Sequence, residues 1–450
     1  MKRPTAPADA PALFPARGDD PGDGAWFLAR NDALGLRLRV HGLAPGDLAL
    51  VRPRAGDPGW GELADVVVPG RGRRAPPCLH AAACGGCPWL HLDEERQDEL
   101  RRSRLERLLR RHGADPAPAT IGLRPCPAPR GGRHRARFQL DPGRATGAVG
   151  MHGPGSWRIA DLPDCPQLAP PLARAYAEVR GALPGLAPHG LTGLELTAVP
   201  GAPGALAHLN PRDLPPAGWP VLGRALLERC PALAGIAVRG RPGLAGPDVL
   251  GADHVLGRTP AGWPLAASAR GFLQSNLAAA DLLADEVARL CGAAPGQRVV
   301  ELFAGSGLLG WRIAAGGADV TALESDPDAV RAGGSLPAPP AGSYALRLAD
   351  ARDGLAALAA ADVLVTDPPR AGLGALAGEI ARAGPRRIVH ACCSAASFAR
   401  DVGVLLRAGY ALREIAIVGL FPQTPHTEAV ALLEAPSAGG SAAGAAAGAG

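Results

Sequence analysis

Lysine is almost missing from this chain of 450 residues: Lys2 is the single lysine, and arginine supplies the rest of the 47 basic residues. Only three asparagines occur, and aromatic residues make up 4% of the chain. This composition is typical of GC-rich coding, so residue types that survive against the bias carry more information than usual. Hydrophobic residues still make up 47%, which is enough for a core and excludes wholesale disorder.

Long apolar runs are lacking as well. No stretch of about 18 apolar residues is free of charges or chain breakers, which argues against a membrane span. Residues 1–20 contain basic residues but no continuous apolar region, so they do not resemble a signal peptide. The nine cysteines are too few for a disulfide scaffold, and three of them fall within residues 78–87. We therefore expect metal or cofactor chemistry in a reducing cytoplasm.

Positive charge is concentrated in one part of the chain, residues 101–144, called here the arginine block. Twelve arginines and three acidic residues give this block a net charge of +9, while the remainder of the chain carries −4. Guanidinium groups form bidentate pairs with phosphate, so the block predicts a surface for a polyanion such as RNA. A solvated helix face enriched in arginine by the coding bias is the alternative interpretation.

Periodicity along the chain predicts three folded parts between two tails. Residues 1–24 are rich in Pro, Asp and Gly and are expected to be flexible, whereas residues 25–75 show short alternating strands typical of an oligonucleotide-binding (OB)-like β-barrel. Residues 76–270 predict a β-rich central domain. Residues 271–434 alternate strands with helices, which is the pattern of a doubly wound α/β sheet. Residues 435–450 are a low-complexity tail.

Two helices carry clear end signals. Asp93 is placed to cap a helix that continues to about Arg111, with Gly113 just beyond it. Residues 277–291 form a second amphipathic stretch, and Gly292 follows as its C-terminal signal.

A glycine turn follows the apolar stretch VVELF in the C-terminal part. Gly305 and Gly307 allow the backbone to turn tightly and to approach a ligand, and Glu324 ends the next strand, where a carboxylate can accept hydrogen bonds from ribose hydroxyls. The complete G-x-G-x-x-G pattern is absent, which favours S-adenosylmethionine over a dinucleotide. An ordinary glycine-rich turn between strand and helix remains the alternative.

A rigid loop, Asp367-Pro368-Pro369-Arg370, follows another apolar strand. Its two prolines hold an extended backbone at the carboxyl end of the strand, where open α/β sheets bind ligands. Amino-group methyltransferases carry an aromatic residue after such a proline pair. Arg370 occupies that position here, which disfavours methylation of an exocyclic amine.

The clustered cysteines form the pattern C-x5-C-G-G-C at Cys78, Cys84 and Cys87. Thiolates are soft ligands suited to iron–sulfur clusters or zinc. The spacing differs from the C-x3-C-x2-C of radical enzymes, and no βαβ unit surrounds the last pair as thioredoxin-like chemistry would require. From the residues alone, both an iron–sulfur cluster and a structural zinc remain open.

Together these motifs resemble the RNA uracil-5 methyltransferases, in particular the bacterial 23S rRNA 5-methyluridine type. The resemblance covers about residues 28–434. It includes, in the family's order, the motifs GLAPGD (42–47), the cysteine pattern with DLPDCP around Cys165, GFLQSN (271–276), ELFAGSG (301–307), DPPR (367–370), CCSAASFARD (392–401) and HTE (426–428).

The resemblance implies a fold and a set of roles. The fold is a Rossmann-like class I S-adenosylmethionine-dependent methyltransferase domain with an RNA-binding TRAM barrel, and the expected substrate is 23S rRNA. The expected nucleophile is Cys393 and the expected base is Glu428. The expected ligands of a [4Fe–4S] cluster are Cys78, Cys84, Cys87 and Cys165. The residues expected at the methyl donor or the uracil are Gln274, Phe303, Gly305, Gly307, Glu324 and Asp367. We expect a cytoplasmic monomer.

The chemistry explains why these residue types are needed. C5 of uracil is a poor nucleophile, and addition of a thiolate to C6 produces an enolate that can attack a methyl donor. A base must then remove the C5 proton. The family's S-C-N-P is here Cys392-Cys393-Ser394-Ala395, and its D-L-F-C-G has become E-L-F-A-G. Because of these departures, a catalytically silent RNA-binding protein that retains the fold remains an alternative. The same reaction on tRNA ranks lower, because the tRNA branch generally lacks barrel and cluster.

Overall fold

The computed structural model describes residues 13–19, 24–114, 121–141, 148–186, 190–211, 218–238 and 248–436. Most of the predicted C-terminal tail and the first twelve residues lie outside these ranges. In the described part, no helix combines the length and apolarity that crossing a membrane requires.

Five strands near the N-terminus close into a barrel in the order β1-β2-β3-β5-β4. They are β1 Phe14–Asp19, β2 Phe27–Asn31, β3 Leu36–Val40, β4 Leu48–Pro53 and β5 Trp60–Val68. Successive side chains of a strand point to opposite faces, so Leu36, Leu38 and Val40 fill the interior while Arg37 and Arg39 point outward. The predicted N-terminal β-barrel is confirmed.

The first barrel strand lies within the segment that was expected to be flexible. β1 pairs with β2 on one side and with β4 on the other, and Phe14 and Ala16 point into the barrel core. Pro15 and Gly18 weaken the strand signal in the sequence. The pairing is decided by closure of the barrel, because without β1 the edges of β2 and β4 would be left open.

The first helix, α1 Glu94–Arg111, connects the barrel to the rest of the molecule. Asp93 caps it by accepting a hydrogen bond from the backbone N of Arg96 at 2.8 Å, and Gly113 follows it with φ 86°. Acidic residues lie in its first turn and arginines in its last, which complements the helix dipole. Both predicted ends of this helix are confirmed.

The central part contains a seven-stranded sheet in the order β13-β12-β11-β10-β7-β8-β9 and a hairpin of β14 and β15. The strands are β7 Arg135–Leu140, β8 Val149–His152, β9 Ile159–Asp161, β10 Leu191–Thr197, β11 Ala205–Pro211, β12 Leu233–Val238, β13 Val249–Gly251, β14 His254–Arg258 and β15 Pro264–Ser268. Helices α2 Pro170–Ala182 and α3 Gly218–Arg229 pack on the sheet, and a 3₁₀ turn, Leu183–Leu186, follows α2.

The C-terminal part contains an eight-stranded sheet in the order β18-β17-β16-β19-β20-β22-β21-β6. Its strands are β6 Ile121–Arg124, β16 Arg298–Leu302, β17 Asp319–Glu324, β18 Ser343–Leu348, β19 Val363–Thr366, β20 Arg387–Cys392, β21 Ala411–Val418 and β22 Glu428–Glu434. Its helices are α4 Leu277–Cys291, α5 Leu308–Ala315, α6 Pro327–Gly333, α7 Leu376–Ala383 and α8 Ala395–Arg407, with a 3₁₀ helix Ala351–Ala360. α4 spans the predicted residues and ends at Gly292 as predicted, and Asn276 caps its N-terminus.

The strand order of this sheet reverses between β16 and β19, which are neighbours although two other strands separate them in sequence. The five strands from β18 to β20 are parallel, and β22 is antiparallel to both β20 and β21. Ligands bind at the carboxyl ends of the strands next to such a reversal. The predicted doubly wound α/β sheet is confirmed.

One strand of this sheet comes from outside the range predicted for it. β6 pairs in parallel with β21 at the sheet edge, although it lies in the segment expected to belong to the central domain. Four residues carry too short a pattern to indicate which sheet they join, so only the long-range pairing assigns β6 to the C-terminal sheet.

Candidate active site

A cavity of about 700 Å³ opens at the carboxyl ends of β16, β17 and β19. The glycine turn after β16 forms one wall and the Asp367–Arg370 loop after β19 forms another. β7 of the central sheet closes the opposite side. The site therefore lies at the strand reversal, between the C-terminal sheet and the central sheet.

The glycine turn is held by Glu324, the last residue of β17. One carboxylate oxygen accepts the backbone N–H of Gly305 and the other accepts the backbone N–H of Asp326, both at 2.8 Å. Phe303 and Gly305 adopt positive φ values of 64° and 56°, which turn the backbone away from the strand direction. Three of the residues predicted at the methyl donor or the uracil line this part of the cavity, namely Phe303, Gly305 and Glu324.

Gly307, also predicted to contact the cofactor, has a packing role that the sequence did not indicate. It does not line the cavity, and a side chain on its Cα would collide with the partly buried Tyr344 ring. Gly307 has a φ of 97° and caps the N-terminus of α5 directly after the turn.

Glu301 is buried behind the glycine turn. Burial raises its pKa to about 8, so this carboxyl is protonated near neutral pH. Its Oε1 accepts the backbone N–H of Gly310 at 3.2 Å.

The Asp367–Arg370 loop is held in place by α8. Ser397 donates to the carbonyl of Arg370 at 2.7 Å, and Arg400 donates to the carbonyl of Ala371 at 2.6 Å. Asp367 lines the cavity, and burial raises its pKa to about 7. Arg370 lies exposed at the rim, where a guanidinium can meet an anionic substrate.

Two adjacent cysteines lie at the end of β20: Cys392 is its last residue and Cys393 follows directly. Their side chains point in different directions. The side chain of Cys392 is fully buried in the hydrophobic core formed with α8. Cys393 lines the cavity, so of the two thiols it is the one that a substrate can reach. Burial, with the neighbouring Glu428 and Asp367 carboxyls, raises the pKa of Cys393 to about 11. Ser394 caps α8, and the helix N-terminus favours a thiolate beside it.

Glu428, the first residue of β22, lies behind the cavity wall. Its side chain is fully buried, and within the described residues neither carboxylate oxygen has a hydrogen-bond partner. Burial and the negative charge of Asp367 raise its pKa well above the usual range of a glutamate. Its electrostatic effect on Cys393 shows that the predicted nucleophile and the predicted base are neighbours.

The residues of the GFLQSN segment have two roles: some line the substrate cavity, and Asn276 connects neighbouring parts of the fold. Gln274 lines the cavity as predicted, and Phe272 stands at its mouth with 63% of its surface exposed. Asn276 instead caps α4 by accepting the N–H of Ala279 at 3.1 Å, and its amide donates to the carbonyl of Ala128 at 2.8 Å. Asn276 therefore joins helix to loop and does not reach the cavity.

Three cavity residues from the central sheet belong to the arginine block but were not predicted to line this site. Arg133, Arg135 and Arg137 lie at alternate positions along β7 and its approach, so their side chains share one face toward the cavity. Arg135 is anchored by the carbonyl of Gly271 and the carboxylate of Glu195. The alternation RHRARF in the sequence is the signal that could have revealed them.

The four cysteines predicted to bind a cluster lie near one another. Burial raises the pKa of Cys84, Cys87 and Cys165, to about 12 for Cys87, and the neighbouring cysteine sulfurs add to each shift. The guanidinium of Arg133 opposes all three shifts, so the group adjoins the arginine that lines the cavity. Within the described ranges, no three His, Cys, Asp or Glu side chains are arranged to hold a metal ion.

The arginine block is partly internal. Arg101 is 3% exposed and Arg124 pairs with the buried Glu286 at 3.1 Å, so neither offers a free guanidinium to a polyanion. Arg133, Arg135 and Arg137 face the cavity. Arg144 lies outside the described residues. The block therefore includes structural arginines as well as arginines at the site.

Comparison with known proteins gives relatives over most of the chain. No protein-family model matches. The 23S rRNA (uracil(1939)-C(5))-methyltransferase of Halomonas elongata is 32% identical over 423 residues, covering 90% of this chain and 86% of that protein. The protein of the same name from Alkalilimnicola ehrlichii is 32% identical, covering 88% of this chain and 91% of its own length.

Among solved structures, the Pyrococcus abyssi tRNA (uracil-54, C5)-methyltransferase in complex with S-adenosyl-L-homocysteine matches with a TM-score of 0.66. It covers 93% of this chain and all of that chain at 20% identity. This likeness shows the fold, and it agrees with the predicted class I methyltransferase domain.

Proposed function

This chain belongs to the family of 23S rRNA (uracil-C5)-methyltransferases, and we propose that it methylates a uridine of 23S rRNA through a covalent adduct between Cys393 and C6 of the base. It is an S-adenosylmethionine-dependent RNA methyltransferase acting on C5 of uracil. The observation that supports the adduct is the position of Cys393, a thiol on the cavity wall beside two carboxyls, opposite the glycine turn.

The proposed reaction needs three events at the uracil ring. The Cys393 thiolate adds to C6, and the C5=C6 electron pair moves to C5 as part of an enolate. S-adenosylmethionine supplies the electrophilic methyl group, which C5 takes while the carbon–sulfur electron pair stays on the departing sulfur. Glu428 then accepts the C5 proton, and the C–H pair restores the double bond and expels the thiolate.

The other cavity residues bind and orient in this proposal. Glu324 and the turn of Phe303 and Gly305 hold the methyl donor, because the fixed carboxylate keeps lone pairs for ribose hydroxyls. Gln274 and Asp367 lie where they can hydrogen-bond the edge of the uracil. Asp367 with a pKa of about 7 can serve as a donor when protonated and as an acceptor when ionised.

The direct test is product analysis. Purified protein is incubated with labelled methyl donor and either 23S rRNA fragments or tRNA, and the nucleosides are identified by mass spectrometry. We expect 5-methyluridine in the rRNA. Label found in tRNA alone would favour the tRNA reaction, and tight RNA binding without any label would favour a silent binding protein.

We further propose that Cys78, Cys84, Cys87 and Cys165 hold a [4Fe–4S] cluster. Four soft donors lie near one another, and burial together with the neighbouring sulfurs raises the thiol pKa of Cys84, Cys87 and Cys165, a cost that a cationic centre would relieve. The expected role is to keep the central and N-terminal parts in register for RNA binding.

Cys84→Ser is expected to lose iron and sulfide and to weaken RNA affinity about tenfold, a loss of about 1.4 kcal/mol. Metal analysis of anaerobically purified protein and a filter-binding titration measure the two effects. Cys230→Ser is the matched control, since Cys230 follows α3 and its charged neighbours are Glu178 and Arg229 rather than the four cysteines. Loss of the cluster with folding, RNA affinity and turnover intact would refute the proposed role in keeping the central and N-terminal parts in register. Zinc found in place of iron would support the zinc alternative.

The barrel is the TRAM-like RNA-binding module in this proposal, and it carries an aromatic surface suited to nucleobases. Trp26 and Trp60 meet edge to face, and the guanidinium of Arg39 lies over both rings at 5.1 and 5.7 Å. His41 stacks on Trp60, and Gly155 of the central part lies against the His41 ring. Stacking aromatics with arginine are the usual means of holding single-stranded bases on such barrels.

The exposed Trp157, two residues beyond Gly155, extends this aromatic surface with 89% of its area free. Base stacking contributes about 1–3 kcal/mol, so Trp157→Ala should weaken RNA binding about fivefold to a hundredfold. The turnover rate at saturating RNA should stay unchanged. Val221→Ala, at an exposed position on α3, is the control. An unchanged dissociation constant for Trp157→Ala would remove this surface from the RNA interface.

The arginines at the cavity and the barrel also predict that RNA affinity falls steeply as the salt concentration rises.

We propose that the enzyme acts as a monomer in the cytoplasm. None of the nine cysteines, all of which lie in the described ranges, is in a disulfide, as a reducing compartment favours. Light scattering at micromolar concentration tests the oligomeric state.

A further inference from the structure

The segment before Glu428, residues 419–427, is called here the base loop. It connects β21 to β22, and Glu428 is the first residue of β22, where it pairs with Val418 of β21. Neither carboxylate oxygen of Glu428 has a hydrogen-bond partner among the described residues, so no hydrogen bond orients it. The backbone therefore places the carboxylate, through this strand pairing and through the loop that leads into it.

Gln423, at the centre of the base loop, has an unusual backbone. It is fully buried and has a φ of 66°, one of only two positive φ values among the described non-glycine residues. A left-handed conformation costs a residue with a side chain about 1–3 kcal/mol and persists only when the surroundings impose it. Something must therefore hold Gln423.

All the groups that hold Gln423 come from residues 74–97, the segment that contains the cysteine pattern and the first turn of α1. Its carbonyl accepts the backbone N–H of Trp89 at 2.9 Å, and its backbone N donates to Gln97 Oε1 at 2.8 Å. Its side-chain oxygen accepts from Gln97 at 2.8 Å and Arg74 at 3.2 Å, and its side-chain nitrogen donates to Glu94 at 3.1 Å. More than 300 residues separate Gln423 from these partners.

Arg101 of α1 holds the rest of the base loop. Its guanidinium donates to the carbonyls of Phe421, Thr424 and His426 at 3.0, 2.9 and 3.1 Å. Asp98 balances its charge at 2.6 Å. A guanidinium has five donors in one rigid plane, so a single side chain fixes three carbonyls of one short loop.

The contacts from α1 and Trp89 act on the chain just before Glu428, where the pairing of β21 with β22 ends at Val418 and Glu428. Beyond Glu428, β22 is tied to β20 by the pairing of Ala429 with Cys392, next to Cys393. Before Glu428, the base loop is held by α1 and Trp89. Trp89 lies two residues after Cys87, so the cysteine pattern and the base loop share one anchor.

We propose that Arg101 and Gln423 are positioning residues for Glu428, so that the cysteine-bearing segment controls release of the product rather than formation of the adduct. This inference rests on the proposed function. Formation of the methylated adduct needs the Cys393 thiolate, which adds to C6, and the methyl donor, whose methyl group C5 then takes. Release needs Glu428 to take the proton from C5, after which the C–H electron pair forms C5=C6 and the S–C6 pair returns to Cys393.

The test separates the two steps. RNA containing 5-fluorouridine has no proton at C5, so its adduct forms without needing Glu428 and cannot resolve. Ordinary uridine RNA requires release for every turnover. The rate of 5-fluorouridine adduct formation is compared with the steady-state methylation rate, and SDS-stable adduct with uridine RNA is quantified.

Arg101→Lys keeps the positive charge but loses the planar guanidinium with five donors that spans three carbonyls and Asp98. We expect 5-fluorouridine adduct formation within about threefold of the natural protein, methylation slowed at least about tenfold, and adduct with uridine RNA accumulating. Gln423→Gly, which permits the same backbone conformation but removes the side-chain contacts, should give the same pattern. Arg413→Lys, at an exposed pair with Glu434, is the control.

Equal losses in both rates, or no change in either variant, would overturn the inference, because a merely structural role slows both steps together. Thermal unfolding of each variant identifies a folding defect. If the natural protein itself forms no adduct with 5-fluorouridine RNA, the covalent mechanism fails, and the inference fails with it.

Discussion

Cys393→Ala is expected to abolish both the covalent RNA adduct and methyl transfer, with a loss of about 10⁴-fold or more. Cys393 lines the cavity, whereas the neighbouring Cys392 is fully buried in the core against α8. Without a sulfur at position 393, nothing in the cavity can add to C6, and C5 stays a poor nucleophile.

Cys392→Ala is the matched control, since it removes an adjacent sulfur of the same chemistry. We expect it to keep most of the activity and to lower stability by about 1 kcal/mol, because it leaves a small space in the core. Adduct formation on 5-fluorouridine RNA, read on a denaturing gel, measures both variants. An adduct that persists in Cys393→Ala and disappears in Cys392→Ala would show that the other sulfur is the nucleophile.

Glu428→Gln is expected to stop the reaction after methyl transfer. An amide cannot accept the C5 proton, so release should slow by about 10²–10⁴-fold and the methylated adduct should accumulate on ordinary uridine RNA. Glu434→Gln at the other end of β22 is the control, because Glu434 pairs with surface arginines away from the cavity. Release from Glu428→Gln at the natural rate would exclude Glu428 as the base.

Glu428→Gln is expected to favour the first step, the addition of the Cys393 thiolate to C6, although it slows release. The Glu428 carboxyl is one of the groups that raise the pKa of Cys393 to about 11. In the natural protein, both Cys393 and Glu428 must lose a proton, so the rate should rise with pH above neutrality. Removing the Glu428 charge lowers the Cys393 pKa, and adduct formation should shift to lower pH. An unshifted profile would show that Glu428 does not act on the thiol.

Local features of the site were predictable because short-range chemistry produces them. A strand followed by Gly305, with Glu324 at the end of the next strand, predicts a turn beside a carboxylate. The structure has this arrangement and adds a hydrogen bond from Gly305 to Glu324 that the sequence did not predict. The caps at Asp93 and Asn276 likewise depend on neighbouring residues only. Family resemblance contributed the choice of Cys393, and the structure places that side chain in the cavity.

Other features depend on contacts that no local pattern reveals. β1 is a strand because β2 and β4 both pair with it, despite Pro15 and Gly18. Gly307 faces Tyr344 rather than the cavity, since α5 turns it away. Arg101 belongs to a run of arginines that predicts a polyanion surface, yet it points into the protein and binds loop carbonyls.

The sequence by itself determined the doubly wound domain, the barrel, the helix ends and the residue types available for uracil-C5 methylation, because periodicity and capping act over a few residues. Only the tertiary structure decided which of two adjacent cysteines reaches the cavity and that Arg133 and Arg135 face it. It also showed that Gln423 is held by Gln97 across 326 positions. Such contacts depend on how the strands and helices pack, and the spacing of residues along the chain carries no record of them.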